Sequence, residues 1–412
     1  MTATAPLSPT HLLPTRPAAG FADHLERYGP LPRLGSQRDE LLDAVAASGL
    51  TGRGGGGFPT GRKLRAVAAG KRPIVVANGT EGEPASAKDK VLMASNPHLV
   101  IDGVLAAAAL VGAEEAVIAV GRAAAASHRA LAAALDERSD VRHVRIEAVP
   151  DRFVAGEESA LVAFLNGGEA KPTTKPPRPS ERGVHGRPTL VQNVETLANL
   201  ALVARHGAAW FSGHETVLVT VRGAVRSAGV VEVRPGTTIG AILDRCGGTP
   251  EPLQAFLVGG YFGCWIPSDG NMGLPLAAEA LAQLGASVGA RTLVALPRSA
   301  CGVAASAGVT AYLAGESAGQ CGPCVFGLPA VALCLDVIAR GGPDARAALE
   351  RLPTLHAQIA RRGACAHPDG TIAFVESALR VFADEIDLHV TGGCSGHHAR
   401  TLPTPSGLPD WK

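Results

Sequence analysis

Residues 73–84 read Pro73-Ile74-Val75-Val76-Ala77-Asn78-Gly79-Thr80-Glu81-Gly82-Glu83-Pro84, and this stretch decides the fold. Pro73–Asn78 is short and almost wholly apolar, the pattern of a strand buried on both faces. The Gly-loosened polar loop after it falls where open α/β sheets bind ligands, at the carboxyl end of a parallel strand. Working downstream, Leu99–Val111 is expected to be helical, Glu115–Val120 a strand, Ala123–Asp136 a helix, Val144–Val149 a strand and Glu157–Leu165 a helix. Such alternation predicts parallel strands with helices on the faces. A proline-containing loop, Lys171–Pro188, and a helix, Val194–Arg205, complete this unit. Upstream lie a predicted amphipathic helix, Arg38–Ser48, the Gly-rich run Gly52–Gly61 and a short basic helix, Arg62–Ala69.

From Thr216 the period changes. Val217, Val219 and Val221, a Gly-containing turn, then Val230, Val231 and Val233 read as a β-hairpin. With a helix over Thr238–Cys246 and strands at Ala255–Gly259 and Thr292–Leu296, this is a small mixed unit of β-grasp type. Beyond Ser306 the chain turns helical over Val309–Leu313, Leu328–Arg340, Asp344–Leu352, Leu355–Arg362 and Ile372–Glu385. The expected division is an aperiodic arm (1–37), an α/β domain (38–210), a β-grasp domain (211–298), a helical domain (299–390) and an irregular tail (391–412).

Bulk properties narrow the function. With 46% hydrophobic and 18% charged residues in 412, the chain folds into several cores instead of remaining disordered. A net charge of +1 leaves no electrostatic footprint for nucleic acid or an anionic membrane. The most apolar window, Val100–Val120, is interrupted by Asp102, Glu114 and Glu115 and reads as a buried helix followed by a strand, so no membrane insertion is expected. Met1–Phe21 shows no signal-peptide pattern; a cytoplasmic location follows, and the eight cysteines are expected to be reduced thiols or metal ligands.

Four motifs carry the chemistry. Gly52-Arg53-Gly54-Gly55-Gly56-Gly57-Phe58-Pro59-Thr60-Gly61 lets backbone amides converge on an anion, with a helix N-terminus behind them and Lys63 within reach of a phosphate. It contains G-x-G-x-x-G, but that fingerprint must follow a strand and a helix pattern precedes it here, so the ordinary Rossmann reading fails; a flexible linker is the bland alternative. The second motif is the loop Asn78–Pro84, whose bland reading is a solvated turn. The third, Gly156-Glu157-Glu158-Ser159-Ala160-Leu161, puts carboxylates in a first helical turn, where the dipole alone would favour them. The fourth, Val191-Gln192-Asn193-Val194-Glu195-Thr196, offers amide and hydroxyl groups as helix caps or ligand contacts.

In this order the four resemble the NADH-binding flavoprotein subunit of respiratory complex I and its relatives in NAD-reducing hydrogenases and formate dehydrogenases, over roughly residues 40–390. The resemblance implies a flavin-binding parallel-sheet domain, a β-grasp domain of the soluble-ligand-binding type, and a C-terminal helical bundle holding a [4Fe–4S] cluster. It implies FMN phosphate and ribityl contacts at Gly52, Gly54, Lys63, Asn78, Asn193 and Thr196, and places Glu81, Gly156, Glu157 and Glu158 around the ring and site mouth. Phe58, Glu83 and Lys175 match positions that seat NADH. The implied reaction is hydride transfer from NAD(P)H to FMN, then single-electron steps through the iron–sulfur cluster to a ferredoxin-like or other redox protein.

The pattern breaks in two places. The family's Glu-Ser-Cys-Gly-x-Cys-x-Pro-Cys appears as Glu316-Ser317-Ala318-Gly319-Gln320-Cys321-Gly322-Pro323-Cys324. Cys321, Cys324 and the distant Cys365 survive as cluster ligands, but Ala318 replaces the first cysteine, where four thiolates are usual. Either Ser317, Cys301, Cys394, His367 or solvent fills in, or the cluster has three irons, or it is lost; Cys246, Cys264 and Cys334 are expected to be structural. On the nicotinamide side Ala66 and Arg178 replace two stacking aromatics, and Thr80 replaces an acidic residue. Two lost aromatic contacts weaken nucleotide binding by about 1–3 kcal/mol, which Arg178 partly offsets if it stacks or pairs with a phosphate. A second reading follows, in which a ferredoxin-like partner feeds the flavin and the nicotinamide site is degenerate.

Overall fold

The computed structural model describes residues 11–14, 20–32, 38–398, 402–405, 407 and 410–412. Parts of the expected arm (1–10, 15–19, 33–37) and tail (399–401, 406, 408–409) lie outside the described residues.

Strands β1 (Ile74–Gly79), β2 (Ala116–Gly121), β3 (Val144–Val149) and β4 (Thr189–Asn193) form a wholly parallel sheet in the order β3-β2-β1-β4. Alternation along β1 explains its apolar run. Val75 and Ala77 face one core with the helices Pro97–Val111 and Val194–His214, while Ile74 and Val76 face a second core with Leu161 and Val184. The two long helices approach closely at Gly103, where a Cβ would sit 2.0 Å from the carbonyl oxygen of Leu197. Strand β4 was not expected. It joins the helix Val194–His214 with no turn residue between, so the local pattern carries only the helix. The helix Lys88–Ser95 was likewise not anticipated, nor was Phe21–Tyr28 within the expected arm, which packs His24 against Asp102 (2.6 Å).

The second sheet contains β5 (Val217–Gly223), β6 (Gly229–Val233), β7 (Leu253–Val258), β8 (Cys264–Pro267) and β9 (Thr292–Pro297) in the order β6-β5-β9-β7-β8. Among the described residues its only parallel pair is β5–β9. One face, with Phe256, Val258, Leu293 and Ala295, covers the helix Ile239–Arg245. The other, with Ala255, Leu257, Val294 and Leu296, packs on the C-terminal helices.

Those helices are Gly302–Gly315, Leu328–Arg340, Ala345–Ile359, His367–Val381 and Ala383–Val390. Two expectations are corrected. Ala345–Ile359 runs unbroken through Pro353, because burial of Leu352, Leu355 and Ile359 on one side outweighs the lost backbone hydrogen bond. The helix expected at Ile372–Glu385 is instead two, divided at Phe382, whose ring fills the bundle core. By length and composition, Pro323–Arg340 could cross a membrane, and so could Lys88–Ser95 with Pro97–Val111 if that pair, bent by 98°, were one span. Leu328, Val331, Leu335 and Ile338 of the first stretch are buried within this chain.

Candidate functional site

In the sheet order β3-β2-β1-β4, the chain steps from β1 out to β2 and β3 and then crosses back to β4 on the other side of β1, so the order reverses between β1 and β4 and a crevice opens at their carboxyl ends. Asn78 and Asn193 stand there in register. A cavity of about 540 Å³ occupies the crevice, a volume suited to a cofactor. Gly54, Asn78, Glu81, Glu83, Gly156, Glu157 and Asn193 line it from the first sheet and its loops. Gly259, Phe262 and Gly289 close it from the second sheet, and Cys365, Ala366 and His367 from the helical bundle.

The Gly-rich loop is cinched at its base, where the Gly52 amide donates to the Phe58 carbonyl (2.9 Å) and the Thr60 amide to that of Leu50 (2.9 Å). Gly55 and Gly57 take left-handed φ values of 105° and 58°, closed to most side chains. Thr196 holds the loop from behind, accepting the Arg53 amide at 2.8 Å. Gly52 and Thr196 therefore shape the loop, while Gly54, Gly55 and Gly56 face the cavity.

Asn78 donates to the Gly156 carbonyl (2.8 Å) and accepts from the Thr80 hydroxyl (2.8 Å), which sits where a Cβ on Gly156 would lie 2.5 Å away. Asn193 is a helix cap, its carbonyl oxygen accepting the Glu195 and Thr196 amides, while its NH₂ donates to Asp89 (2.8 Å). Glu81, at a left-handed φ of 41°, accepts the Asp89 and Lys90 amides (3.1 and 2.9 Å) and the Ser86 hydroxyl (2.6 Å), so it caps Lys88–Ser95. Glu83 accepts the Tyr261 amide (2.8 Å) from across the cavity and the Ala85 amide (3.2 Å). Loss of solvation pushes its carboxyl up to about 7, against those two N–H donors.

The sequence reading missed a buried charge cluster. The Lys88 ammonium lies 2.8 Å from Asp89 and 2.9 Å from Glu195, all three nearly inaccessible to solvent. Burial works against the Lys88 charge, but Asp89, Glu195 and Glu81 outweigh it and raise it. Burial pushes Asp89 up to about 6 with Glu81 and Glu195 adding to it, while Lys88 opposes. Arg291 and Arg53, the latter paired with Glu215, assist Lys88 in holding Glu195 below its ordinary range against the cost of burial. Arg53, Lys88 and Asp89 all line the cavity. Only the unusual Lys-Asp pair ahead of an apolar run could have signalled them.

At the rim, Lys63 pairs with Glu158 (3.0 Å), and Lys175 with Glu157 (2.6 Å) and Glu158 (3.1 Å). Glu157 also caps the helix Glu158–Leu165 by accepting the Ser159 and Ala160 amides. Lys63, Glu158 and Lys175 stand behind Glu157 and are not among the lining residues. Phe58 is 43% exposed with the Arg62 guanidinium 5.5 Å from its ring centre, and Ala66 and Arg178 are exposed. Inside the cavity the aromatic pair is Phe153 and Phe262, ring centres 4.7 Å apart, which the sequence reading did not single out.

Cys324 lies in a π-helical turn, Pro323–Gly327, with Cys321 just ahead of it, and Cys365 stands just before the helix His367–Val381. Burial pushes the Cys324 thiol up to about 11, with Cys321 and Cys365 adding to the rise and the Ser317 hydroxyl opposing it; that hydroxyl accepts the Gly319 amide at 3.1 Å. Three thiols and one hydroxyl thus gather within one site, with Ala318 buried next to them. Glu316, held by Arg152 (3.0 Å) and the Phe153 amide (2.8 Å), anchors the segment to the flavin-side loop. His367 turns Nε2 to the Leu313 carbonyl (2.8 Å) and leaves Nδ1 buried without a partner. Cys301 and Cys394 belong to a different group, with His389 and His398. Cys246, Cys264 and Cys334 are buried free thiols.

The site fits both implied cofactors by its own chemistry. A bare-backbone loop and buried cations suit a phosphorylated flavin, and a three-thiol set with an adjacent hydroxyl suits an iron–sulfur cluster with one altered corner. The comparisons agree. Residues 45–202 match the Nuo51 FMN-binding domain, 218–260 the SLBB domain and 304–389 the iron–sulfur binding region of NADH-ubiquinone oxidoreductase F. The F 2 subunit of the Rhizobium meliloti NADH-quinone oxidoreductase is 31% identical over 92% of this chain and 94% of its own length. The HndC subunit of a Solidesulfovibrio fructosivorans NADP-reducing hydrogenase is 28% identical over 89% of this chain and 79% of its own. A crystal structure of an NAD⁺-reducing [NiFe]-hydrogenase in the H₂-reduced state superposes with a TM-score of 0.77 at 28% identity, over 87% of this chain; the chain spans 64% of that chain's length. Three matched regions in one order, and a relative of this identity over nearly its whole length, show that the chain belongs to the family of complex I 51 kDa flavoproteins, the NADH-quinone oxidoreductase F subunits and their hydrogenase counterparts.

Proposed function

We propose that the chain is an FMN-dependent oxidoreductase that takes electrons from NAD(P)H and passes them through an iron–sulfur site to a redox protein. One observation carries this reading: the cavity at the β1/β4 crevice has the Gly-rich loop on one side and Cys365 on the other. FMN, when bound, supplies hydride acceptance joined to single-electron release.

The residues divide the work. The amides of Gly54–Gly56, with Arg53 and Lys88 behind them, hold the phosphate; Asn78 and Asn193 set the ribityl side, with Thr196 holding the loop from behind; Glu81, Gly156 and Glu157 border the ring. Glu83, with its raised pKa, changes charge near neutral pH at the nucleotide side, where Phe58 and Lys175 stand at the mouth. Phe153 and Phe262 exclude water between the cavity and the bundle. Cys321, Cys324 and Cys365 would hold the cluster, and the hydroxyl of Ser317, next to Ala318 and near Cys324, is the candidate for the fourth corner. The exposed side chains of Val325 and Phe326, beside Cys324, support docking of a ferredoxin-like or other protein acceptor at that end. Free cysteines throughout the described residues accord with a cytoplasmic setting.

Stopped-flow reduction decides the donor. Bleaching of bound flavin by NADH or NADPH within the turnover time is expected, and a flavin left oxidised by both rejects the nicotinamide half. The absence of stacking aromatics at the exposed positions Ala66 and Arg178 favours the alternative, a flavin fed by a reduced ferredoxin. Rapid bleaching by reduced ferredoxin alone would establish it.

A further inference from the structure

Away from the flavin cavity, four side chains converge where the helices Gly302–Gly315 and Ala383–Val390 meet the start of the tail. The Sγ atoms of Cys301 and Cys394 and one ring nitrogen each of His389 and His398 all lie within 4.8 Å of one another. Two of the edges are short: Cys301 Sγ to His389 Nε2 is 3.3 Å and Cys394 Sγ to His398 Nε2 is 3.4 Å. Tetrahedral zinc, with bonds of about 2.3 Å to sulfur and 2.0–2.1 Å to nitrogen, sets neighbouring donors roughly 3.3–3.8 Å apart. We propose that Cys301, His389, Cys394 and His398 form a structural Cys₂His₂ zinc site, separate from the flavin and iron–sulfur centres.

The donor set is complete and chemically matched. Two thiolates and two neutral imidazoles cancel the charge of a divalent cation and suit a borderline-soft metal with no redox role. The backbone around it is built to hold the donors. His397 forms a bridge with Ala300, its carbonyl accepting the Cys301 amide (2.9 Å) and its amide donating to the Ser299 carbonyl (2.7 Å). That close approach requires Gly396, where a Cβ would lie 2.6 Å from the Ala300 carbonyl carbon. Glu385, 3.3 Å from His389 Nε2, is engaged by the amide and hydroxyl of Ser395, which ties the turn before His398 to the helix. Cys301 and His389 are buried while Cys394 and His398 are exposed, leaving a path for the ion to enter.

The site also has a mechanical consequence. Beyond it the tail buries Leu402, accepts a hydrogen bond from the Tyr261 hydroxyl at the Pro403 carbonyl (2.5 Å), and returns to the first domain, where Arg152 lies 3.9 Å over the Trp411 ring. A zinc staple at 394–398 would hold the root of a strap that crosses all three regions.

Metal analysis of the full-length protein tests this. One zinc per chain is expected by mass spectrometry, in addition to any iron, after purification and brief incubation with zinc chloride under reducing conditions. Cys394→Ser and His398→Gln, both at exposed positions, are each expected to lose most of the zinc while flavin and iron contents stay unchanged, and to speed proteolysis within the tail. Failure of the wild-type protein to take up zinc would overturn the proposal. So would unchanged zinc in the Cys394→Ser/His398→Gln double variant, or a Cys301–Cys394 disulfide in the protein as isolated. Loss of iron together with zinc in these variants would instead assign the four residues to the redox cluster.

Discussion

Replacing Lys88 by Met is expected to destabilise the flavin-side domain more than any loss of hydrophobic contact would suggest. The Lys88 ammonium touches Asp89 at 2.8 Å and Glu195 at 2.9 Å, and none of the three is more than marginally accessible. Methionine keeps the length of the stem but leaves two carboxylates facing one another in a protein interior. Breaking a buried pair by removing one partner costs about 3–5 kcal/mol, which at a urea slope of about 1–3 kcal/mol per molar moves the midpoint by roughly 1–3 M or more. The deficit should depend on pH. Asp89 is already pushed up to about 6 with Lys88 opposing the rise, so without Lys88 it moves higher. A carboxyl whose folded pKa lies above its unfolded one contributes stability that is complete below the unfolded value and lost as pH rises through the folded value. The urea deficit of Lys88→Met is therefore largest at pH 8 and shrinks towards pH 5. Adding Asp89→Asn should recover part of it, because Glu195 keeps Arg291 and Arg53 as cationic neighbours and no second carboxylate then faces it. A deficit below about 1 kcal/mol at pH 8, or a double variant no better than the single one, would refute the reasoning.

Three further outcomes are expected. With the Glu83 carboxyl pushed up to about 7, its contribution to stability is lost as pH rises through that value; Glu83→Gln should thus gain on the wild type between pH 5 and 8 in paired urea titrations, and any step near pH 7 in the rate of flavin reduction should vanish. Gly103→Ala puts a Cβ 2.0 Å from the Leu197 carbonyl oxygen and forces two helices apart; a loss of about 1–3 kcal/mol or more is expected from denaturant unfolding, and an unchanged midpoint would count against the packing described. At the cluster, Ser317→Ala should lower the iron bound per chain and Ala318→Cys should raise or stabilise it, with a changed EPR spectrum of the reduced protein; iron content indifferent to both would remove Ser317 as a ligand.

Much of the plan was legible in the residues themselves. The apolar run at Pro73–Asn78, the helix–strand alternation after it and the four ordered motifs carry the parallel sheet and the family, because these depend on periodicity and on side chains close in sequence. Even the altered corner of the cluster could be read, since Ala318 stands in a local motif. What the tertiary structure alone decided are the relations between distant residues. It set Asn78 beside Asn193 by inserting an unannounced strand, and it buried Lys88 with Glu195, a helix N-terminus away. It gave Glu81 to a helix cap and Thr196 to the back of the Gly-rich loop. It also sorted the cysteines, keeping Cys321, Cys324 and Cys365 with Ser317 and sending Cys301 and Cys394 to two histidines. Local pattern reports propensity and which face is apolar. Charge pairing, burial of polar groups and shared ligand sets depend on which surfaces meet, and that is settled only when the sheets and bundle pack.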